Sequence, residues 1–386
     1  MSRKSRSAAS VGRKGGAVGK LTGFLVAVVL LAGALAAGGW FYAQHVYAGA
    51  GPSTADGAAR TVLIEPKSSV PTIARKLAEA GAIRNALSFR LAVKATDASL
   101  KLKAGEYAIA SGASMKSIID QMIAHRVLLH PVSAPEGLTS AMILRRLADE
   151  PILAGPLPDV EPAEGVLLPD TYMVARGQKR TDVVARMISA QQTLLSDLWP
   201  KRQAGLPFDT PEQAVILASI VEKETGIEAE RPQVAAVFVN RLKRGMRLES
   251  DPTIIYGLTK GEPLGHGLRR SELDQPNAWN TYQIDGLPPT PICNPGRAAI
   301  EAVLNPPVTD ALYFVAKGSD GHSAFASTYA EHMKNVANLR SYERDALKAQ
   351  ADDANKGDAP TFEKSEAPPK PAQQKVPPPP KPGEGS

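Results

Sequence analysis

The stretch Thr210-Pro211-Glu212-Gln213-Ala214-Val215-Ile216-Leu217-Ala218-Ser219-Ile220-Val221-Glu222-Lys223-Glu224-Thr225-Gly226 decides how the second half of the chain is read. Thr210 suits an N-cap, Pro211 suits the first helical position, and Gln213 completes a T-x-x-Q capping box, so a helix starts here. Gly226 marks its end. Glu222 closes the apolar run and falls in the last turns, with Ala218 and Ser219 four and three residues before it on its own face. A carboxyl among small and apolar neighbours is partly desolvated, which favours its protonated form, and that is what a general acid working near neutral pH requires. Residue type alone also allows a plain alternative, a glutamate ion-paired with Lys223, Arg231 or Arg241.

Working outward, Val234, Val237, Phe238 and Leu242 form one apolar stripe of a second helix that ends at Gly245. Beyond it, residues 251–257, 280–282 and 286–292 read as short strands alternating with turns, and residues 312–316 read as a buried strand. Upstream, residues 181–198 have helical spacing, and residues 151–166, rich in Pro, Gly and Ala, form a long connection. Residues 127–132 read as a strand, and Pro135-Glu136-Gly137-Leu138-Thr139 leads into a helix over 142–148. Nearer the N-terminus come a strand at 61–64, a helix from Val70 stopped by Gly81, a helix over 86–92, a strand at 103–109 and a helix over 115–125. That order predicts a small α+β module of the kind that grips a ligand.

The formal charge of +6 is misleading until it is located. Arg3, Lys4, Arg6, Arg13, Lys14 and Lys20 account for the whole excess of 45 basic over 39 acidic residues, and no acid precedes Asp56. The body is electrically balanced, so nucleic acid is not expected as a partner. Behind the basic head, residues 21–42 carry no charge, long enough to cross a bilayer as a helix, which takes ~20 residues. The positive flank predicts a cytoplasmic N-terminus, with Trp40, Phe41 and Tyr42 at the far interface. The competing reading is a cleaved signal peptide with its site near residues 33–37, but the apolar stretch is longer than the roughly 7–15 residues of a signal core.

Cys293 is the single cysteine. No intrachain disulfide is possible, and with no nearby histidine it is read as an inert small residue. His322 and His332 lack the spacing of a metal site, so neither a metal nor another cofactor is expected. From about Gln350 the chain is dominated by Ala, Lys, Glu and Pro, too little apolar content to build a core.

The ordered motifs Ala218-Ser219-Ile220-Val221-Glu222-Lys223-Glu224-Thr225, Glu230-Arg231-Pro232, 237–242, Gly245-Met246-Arg247-Leu248, Ser250-Asp251-Pro252-Thr253, Tyr256-Gly257, Asn280-Thr281-Tyr282, Gly286-Leu287-Pro288-Pro289, Asn294-Pro295-Gly296, 313–316, Gly321-His322 and Glu331-His332 closely resemble the endolytic murein transglycosylase family. The resemblance covers most of the chain. It implies an α+β protein with a single transmembrane helix, a LysM-like module and an α+β catalytic domain. The expected divisions are a cytoplasmic head over 1–20, the membrane helix over 21–42, a linker over 43–59, the glycan-binding module over 60–130, the catalytic domain over 131–345 and a disordered tail over 346–386.

By the same resemblance Glu222 falls on the catalytic acid of an enzyme that cuts peptidoglycan glycan strands between N-acetylmuramic acid and N-acetylglucosamine, leaving 1,6-anhydro ends. The implied setting is the bacterial inner membrane with the catalytic domain outside the cytoplasm, and the implied partners are the glycan strands, the membrane and peptidoglycan synthases. Asp251, Tyr256, Asn280, Tyr282 and Asn294 are candidate sugar contacts, since polar groups on turn-rich segments commonly bind ligands. Asp251 serves equally as a turn former, and Tyr256 and Tyr282 equally as packing residues. Departures from the family pattern are Glu249 in place of a common glutamine, Thr290 in place of a common glycine, and one extra residue between His322 and Phe325. Glu249 adds a negative charge that would raise the pKa of Glu222 if the two lie close. The rival from another class is a non-catalytic glycan-binding scaffold in which Glu222 merely pairs with an arginine.

Overall fold

The computed structural model describes residues 16–318 and 320–355, and these form two compact units divided between Leu129 and His130. The expected head over 1–20 therefore lies mostly outside the described residues, as does the tail from residue 356.

In the first unit, α1 (Gly16–Ala48) contains one stretch, Thr22–Ala48, that is long and apolar enough to cross a membrane, with mean hydropathy 2.2 over its best window. The helix runs past Tyr42 because nothing breaks it, and Val46 and Tyr47 pack against the core of the following module. Within the expected linker over 43–59, residues 51–54 are bonded back to the module. Gly51 N–H donates to Gly112 O (3.1 Å), Gly112 N–H to Pro52 O (3.1 Å) and Thr54 N–H to Ser111 Oγ (2.8 Å). A side chain at Gly51 would collide with the Ala113 carbonyl, so glycine permits this close approach.

The module itself runs β1 (Arg60–Ile64), α2 (Val70–Glu79), α3 (Ala86–Ala95), β2 (Gly105–Ile109) and α4 (Met115–Ile123). β1 and β2 pair antiparallel, from Arg60 opposite Ile109 to Ile64 opposite Gly105. Each helix starts at a side-chain cap: Ser69 accepts from Thr72 N–H, Asn85 from Leu87 N–H and Ser88 N–H, and Ser114 from Ser117 N–H. Val62, Ile64, Leu77, Phe89, Val93, Tyr107, Ile118 and Met122 fill one core between strands and helices.

The second unit begins one residue into β3 (Leu129–Ser133) and continues with α5 (Ser140–Asp149) and β4 (Thr171–Ala175), the two strands pairing with each other. β4 was not expected from the sequence, yet it alternates outward Thr171 and Met173 with buried Tyr172 and Val174. α6 (Arg180–Leu198) follows, and the Arg180 guanidinium donates to the carbonyls of Leu147, Ala148 and Glu150, a cation satisfying the C-terminal end of α5. Next come α7 (Pro211–Glu224), with the expected Thr210–Gln213 capping box, and α8 (Arg231–Lys243). α9 (Asp251–Thr259), α10 (Arg270–Asp274), α11 (Arg297–Leu304), the antiparallel pair β5 (Tyr313–Ala316) and β6 (Ser323–Ala326), and α12 (Tyr329–Asn355) complete the unit. The main core is built where α7, α8 and α11 meet, around Leu217, Ile220, Val221, Val234, Phe238, Ile300 and Val303. Phe238 meets Phe314 edge-on at 5.8 Å.

Three sequence expectations are corrected here. Residues 251–257 are helical, not a strand: Pro252 sits in the first turn, where its missing N–H costs nothing, and this placement overrides the β-branched pair Ile254-Ile255. Residues 280–282 and 286–292 are turns and irregular chain without strand pairing. Residues 346–355 continue α12 and do not begin a disordered tail, since Ala, Leu, Lys and Gln extend a helix already anchored through Val336 without needing a core of their own.

The long connection over 151–166 is held down by polar groups. Glu164 accepts Ser140 N–H (2.9 Å) at the start of α5, Ser140 Oγ donates to Ala163 O (3.0 Å), and Gln191 Nε2 donates to Gly165 O (2.9 Å). Burial pushes the Glu164 carboxyl up to about 7, only partly offset by the Ser140 hydrogen bonds.

Two stability measurements follow. Phe238→Ala should cost about 3–5 kcal/mol through the cavity it leaves, seen as a lower denaturant midpoint for the second unit, and an unchanged midpoint would contradict this core. For Glu164 the folded pKa lies above the unfolded 4.5, so its contribution is fully present below that value and is lost as pH rises through about 7. Glu164→Gln should accordingly flatten the fall in Tm between pH 5 and 8, whereas a wild-type slope would show that this carboxyl is not held in its neutral form.

Candidate active site

Glu222 lies in the last turn of α7 with its side chain only 6% exposed. Oε2 accepts the Gly296 N–H at 2.9 Å, and Oε1 faces Arg231 Nη2 at 3.3 Å. Arg231 opens α8 and is itself buried. Burial raises the pKa of Glu222; the Gly296 N–H and the Arg231 charge pull it back, the Glu136 charge pushes it further up, and the Lys223 charge pulls it down, with the net direction upward. Glu222 thus has the arginine partner of the plain alternative, while burial keeps the net direction of its pKa upward.

The amide that meets Glu222 is positioned by α7 itself. Ser219, one turn before Glu222, accepts the Ile292 N–H at its Oγ (3.0 Å) and passes its own hydroxyl proton to Ile216 O (2.7 Å), while Cys293 Sγ donates to Ser219 O (3.4 Å). Asn294 then locks the strip from the other side. Its backbone exchanges bonds with Gly137 and Leu138 at 3.0 and 2.9 Å, its Oδ1 accepts Leu167 N–H (3.0 Å), and its Nδ2 reaches Leu138 O and Ser140 Oγ. Gly296 follows at the N-terminus of α11. Cys293 is fully buried and burial pushes its thiol well up, in keeping with a packing role.

The other expected residues are distributed as follows. Asp251 and Tyr282 meet directly, the Tyr282 hydroxyl donating to Asp251 Oδ1 at 2.7 Å, close to Glu224, whose carboxyl accepts from Ser250 Oγ at 2.5 Å. Burial, with Asp251 as a like charge, pushes Glu224 up to about 7. Tyr256 is buried and packs edge-on against Trp279 at 5.6 Å, with Lys260 Nζ over both rings. Asn280 is fully buried, donating to Leu273 O and Gln275 O and accepting Tyr282 N–H. Glu249 does not turn to Glu222: its carboxylate meets Arg241 Nη1 at 3.0 Å, and the acid whose charge bears on Glu222 is Glu136.

Glu136 is the residue that sequence reasoning passed over as the lead-in to a helix. Its Oε2 lies 3.9 Å from Arg231 Nη2, and a Cβ at Gly296 would collide with its carboxyl. Gly137, at φ +76°, turns the chain so that this strip can run beside Asn294. The signal available was an acid followed by a turn-forming glycine; nothing local tied it to a helix more than eighty residues away. His322 Nδ1 pairs with Glu230 Oε1 (2.8 Å) and His332 stacks on Tyr313. Among the described residues, no group of three His, Cys, Asp or Glu side chains is placed to hold a metal ion.

Comparison with known proteins matches residues 62–338 to the model of the YceG-like family. An endolytic murein transglycosylase of Bacillus subtilis is 31% identical over 300 residues, covering 69% of this chain and 81% of the relative. One of the same name from Streptococcus pneumoniae is 28% identical over 364 residues, covering 81% of this chain and 64% of the relative. A crystal structure of a yceG-like protein from Listeria monocytogenes covers 72% of this chain and 98% of its own, with 28% identity and a TM-score of 0.44. With the family match spanning most of its length, this chain belongs to the YceG-like family.

Proposed function

We propose that the protein is a peptidoglycan lytic transglycosylase with Glu222 as its acid and base. The observation that carries this reading is the desolvated Glu222 carboxyl, fixed between the Gly296 amide and Arg231 with its pKa raised, and the relatives named endolytic murein transglycosylases support it. Protonated Glu222 delivers its proton to the glycosidic oxygen as the bond to carbon 1 of N-acetylmuramic acid breaks. As carboxylate it then takes the proton of that sugar's carbon-6 hydroxyl, whose oxygen closes onto carbon 1. Protons balance, no water is consumed, and the product carries a 1,6-anhydro end. Two carboxylates are the usual requirement of a glycosidase; here the nucleophile is already held in the same sugar, which supplies the proximity. Gly296 N–H and Arg231 steady the carboxylate between its two roles.

Among the five expected sugar contacts, the internal bonds of Asn280 and Asn294 suit loop-shaping, and the packing of Tyr256 suits a wall. Sugar contact is proposed for Asp251 and Tyr282, at the same end of α7 as Glu222. The β1–α2–α3–β2 order supports a LysM-like, glycan-gripping role for the first unit. The apolar Thr22–Ala48 stretch and the basic residues ahead of it support a single-pass anchor in the inner membrane with the catalytic region outside the cytoplasm. An enzyme held there acts on nascent strands beside the membrane, where synthases work, and its cuts end glycan elongation.

Glu222→Gln keeps the shape of the side chain and removes the transferable proton. Purified full-length variant should fold normally yet cleave glycan strands about 10²–10⁴-fold more slowly, with mass spectrometry of wild-type products showing anhydro ends. Wild-type turnover by the folded variant would leave a non-catalytic glycan-binding role as the better reading. A periplasmic reporter fused after Ala349 should be active only outside the cytoplasm, and activity inside would reverse the proposed topology.

A further inference from the structure

We propose that Glu136 is a positioning residue that holds Arg231 as a second counter-ion, so that the guanidinium is shared between two carboxylates and Glu222 is free to carry its proton. The proposal rests on Glu222 being the acid of the reaction, and it assigns a role to a residue outside the expected site.

The geometry is threefold. Arg231 Nη2 lies between two acids, 3.3 Å from Glu222 Oε1 and 3.9 Å from Glu136 Oε2. The Glu136 carboxyl lies against Gly296, where a Cβ would meet it, and the N–H of that same glycine holds the other oxygen of Glu222. The strip carrying Glu136 is fixed in place: Gly137 and Leu138 exchange backbone bonds with Asn294, and Lys223 Nζ reaches Gly137 O at 3.4 Å. The two acids differ in setting, since Glu136 is 44% exposed while Glu222 is 6% exposed. Glu136 thus meets the guanidinium from the solvent side, while Glu222 meets it from the enclosed side.

Consider Glu222 without that neighbour. A buried arginine with no other anion would claim the Glu222 carboxylate outright, and a carboxylate in a close ion pair is a poor proton carrier at neutral pH. With Glu136 present, Arg231 keeps a partner while Glu222 is protonated, and turns to Glu222 once its proton has gone to the leaving sugar. The charged groups facing Glu222 are Arg231 from α8, Glu136 from the strip before α5 and Lys223 from α7, with the Gly296 amide at the start of α11. Among them Glu136 alone favours the protonated acid, so removing its charge moves Glu222 in one direction only.

The test compares wild type with Glu136→Gln and Glu136→Asp in the full-length protein. The Glu222 carboxyl is titrated by ¹³C NMR, its signal assigned by its loss in Glu222→Gln, and kcat and KM are measured across pH. In Glu136→Gln the midpoint of Glu222 should fall, and the high-pH limb of kcat should move with it, so that the ratio of kcat at pH 5 to kcat at pH 7 rises several-fold with little change in KM. Glu136→Asp should lie between. An unmoved Glu222 midpoint overturns the proposal, as does a loss of kcat that is uniform with pH, or a raised KM with an unmoved limb, which would make Glu136 a structural or a sugar-binding residue. Failure of the catalytic reading is separately visible, because active Glu222→Gln refutes that reading while the NMR midpoint still reports on the Glu136 link.

Discussion

The burial of one carboxyl at the end of an apolar helix is the constraint on which the site depends. α7 is packed on all sides by the core of the second unit, and Glu222 is where that packing meets a polar group. A buried charge without partners would be prohibitive, and a buried charge in a tight ion pair would be useless as an acid. The structure takes a middle course, with one amide on Oε2, an arginine at a longer 3.3 Å on Oε1, and a second acid near the arginine. The result is a carboxyl held in place yet still able to bind a proton.

Most of the surrounding architecture serves that arrangement. Ser219 fastens the strip Ile292–Cys293 to α7, Asn294 fastens its continuation to residues 137–138 and 167, and the chain is thereby delivered to Gly296 with its N–H aimed at Glu222. Glu164 and Ser140 hold the long connection beside the same asparagine. These are buried polar groups whose bonds run between distant segments, and such a network fixes the backbone more tightly than apolar packing alone. Arg241 does the same at the far end of α8, donating to the carbonyls of Arg247, Leu248 and Leu312 and to Glu249, so the loop leading to Asp251 is fixed as well.

How much of this was legible in the sequence depended on distance along the chain. The capping box at Thr210, the place of Glu222 near the helix end and the β1–α2–α3–β2 order could all be read, since caps and periodicity are local. Residues 251–257 were misread because Ile254-Ile255 suggests a strand, while the decisive fact, Pro252 in a helical first turn, depends on where Ser250 and Thr281 bind. The bonds that hold residues 51–54 are not local either, since their partners lie at 111–112. Glu136, the Gly296 amide and the bonds of Asn294 were beyond reach for the same reason: each is defined by contact with residues far away in sequence. Asparagine in a turn-rich segment suggests a sugar ligand, but a fully buried amide whose donors are already used suggests a brace.

The central claim is that a single desolvated carboxyl, with the sugar's own hydroxyl as nucleophile, does the work that usually takes two acids and a water. The most direct measurement is cleavage of purified glycan strands by the wild-type protein in heavy-oxygen water, with mass spectrometry of the new ends. The account predicts anhydro termini carrying no label. Heavy oxygen at new reducing ends would contradict it, because water would then be the nucleophile and a second carboxylate would be needed to activate it.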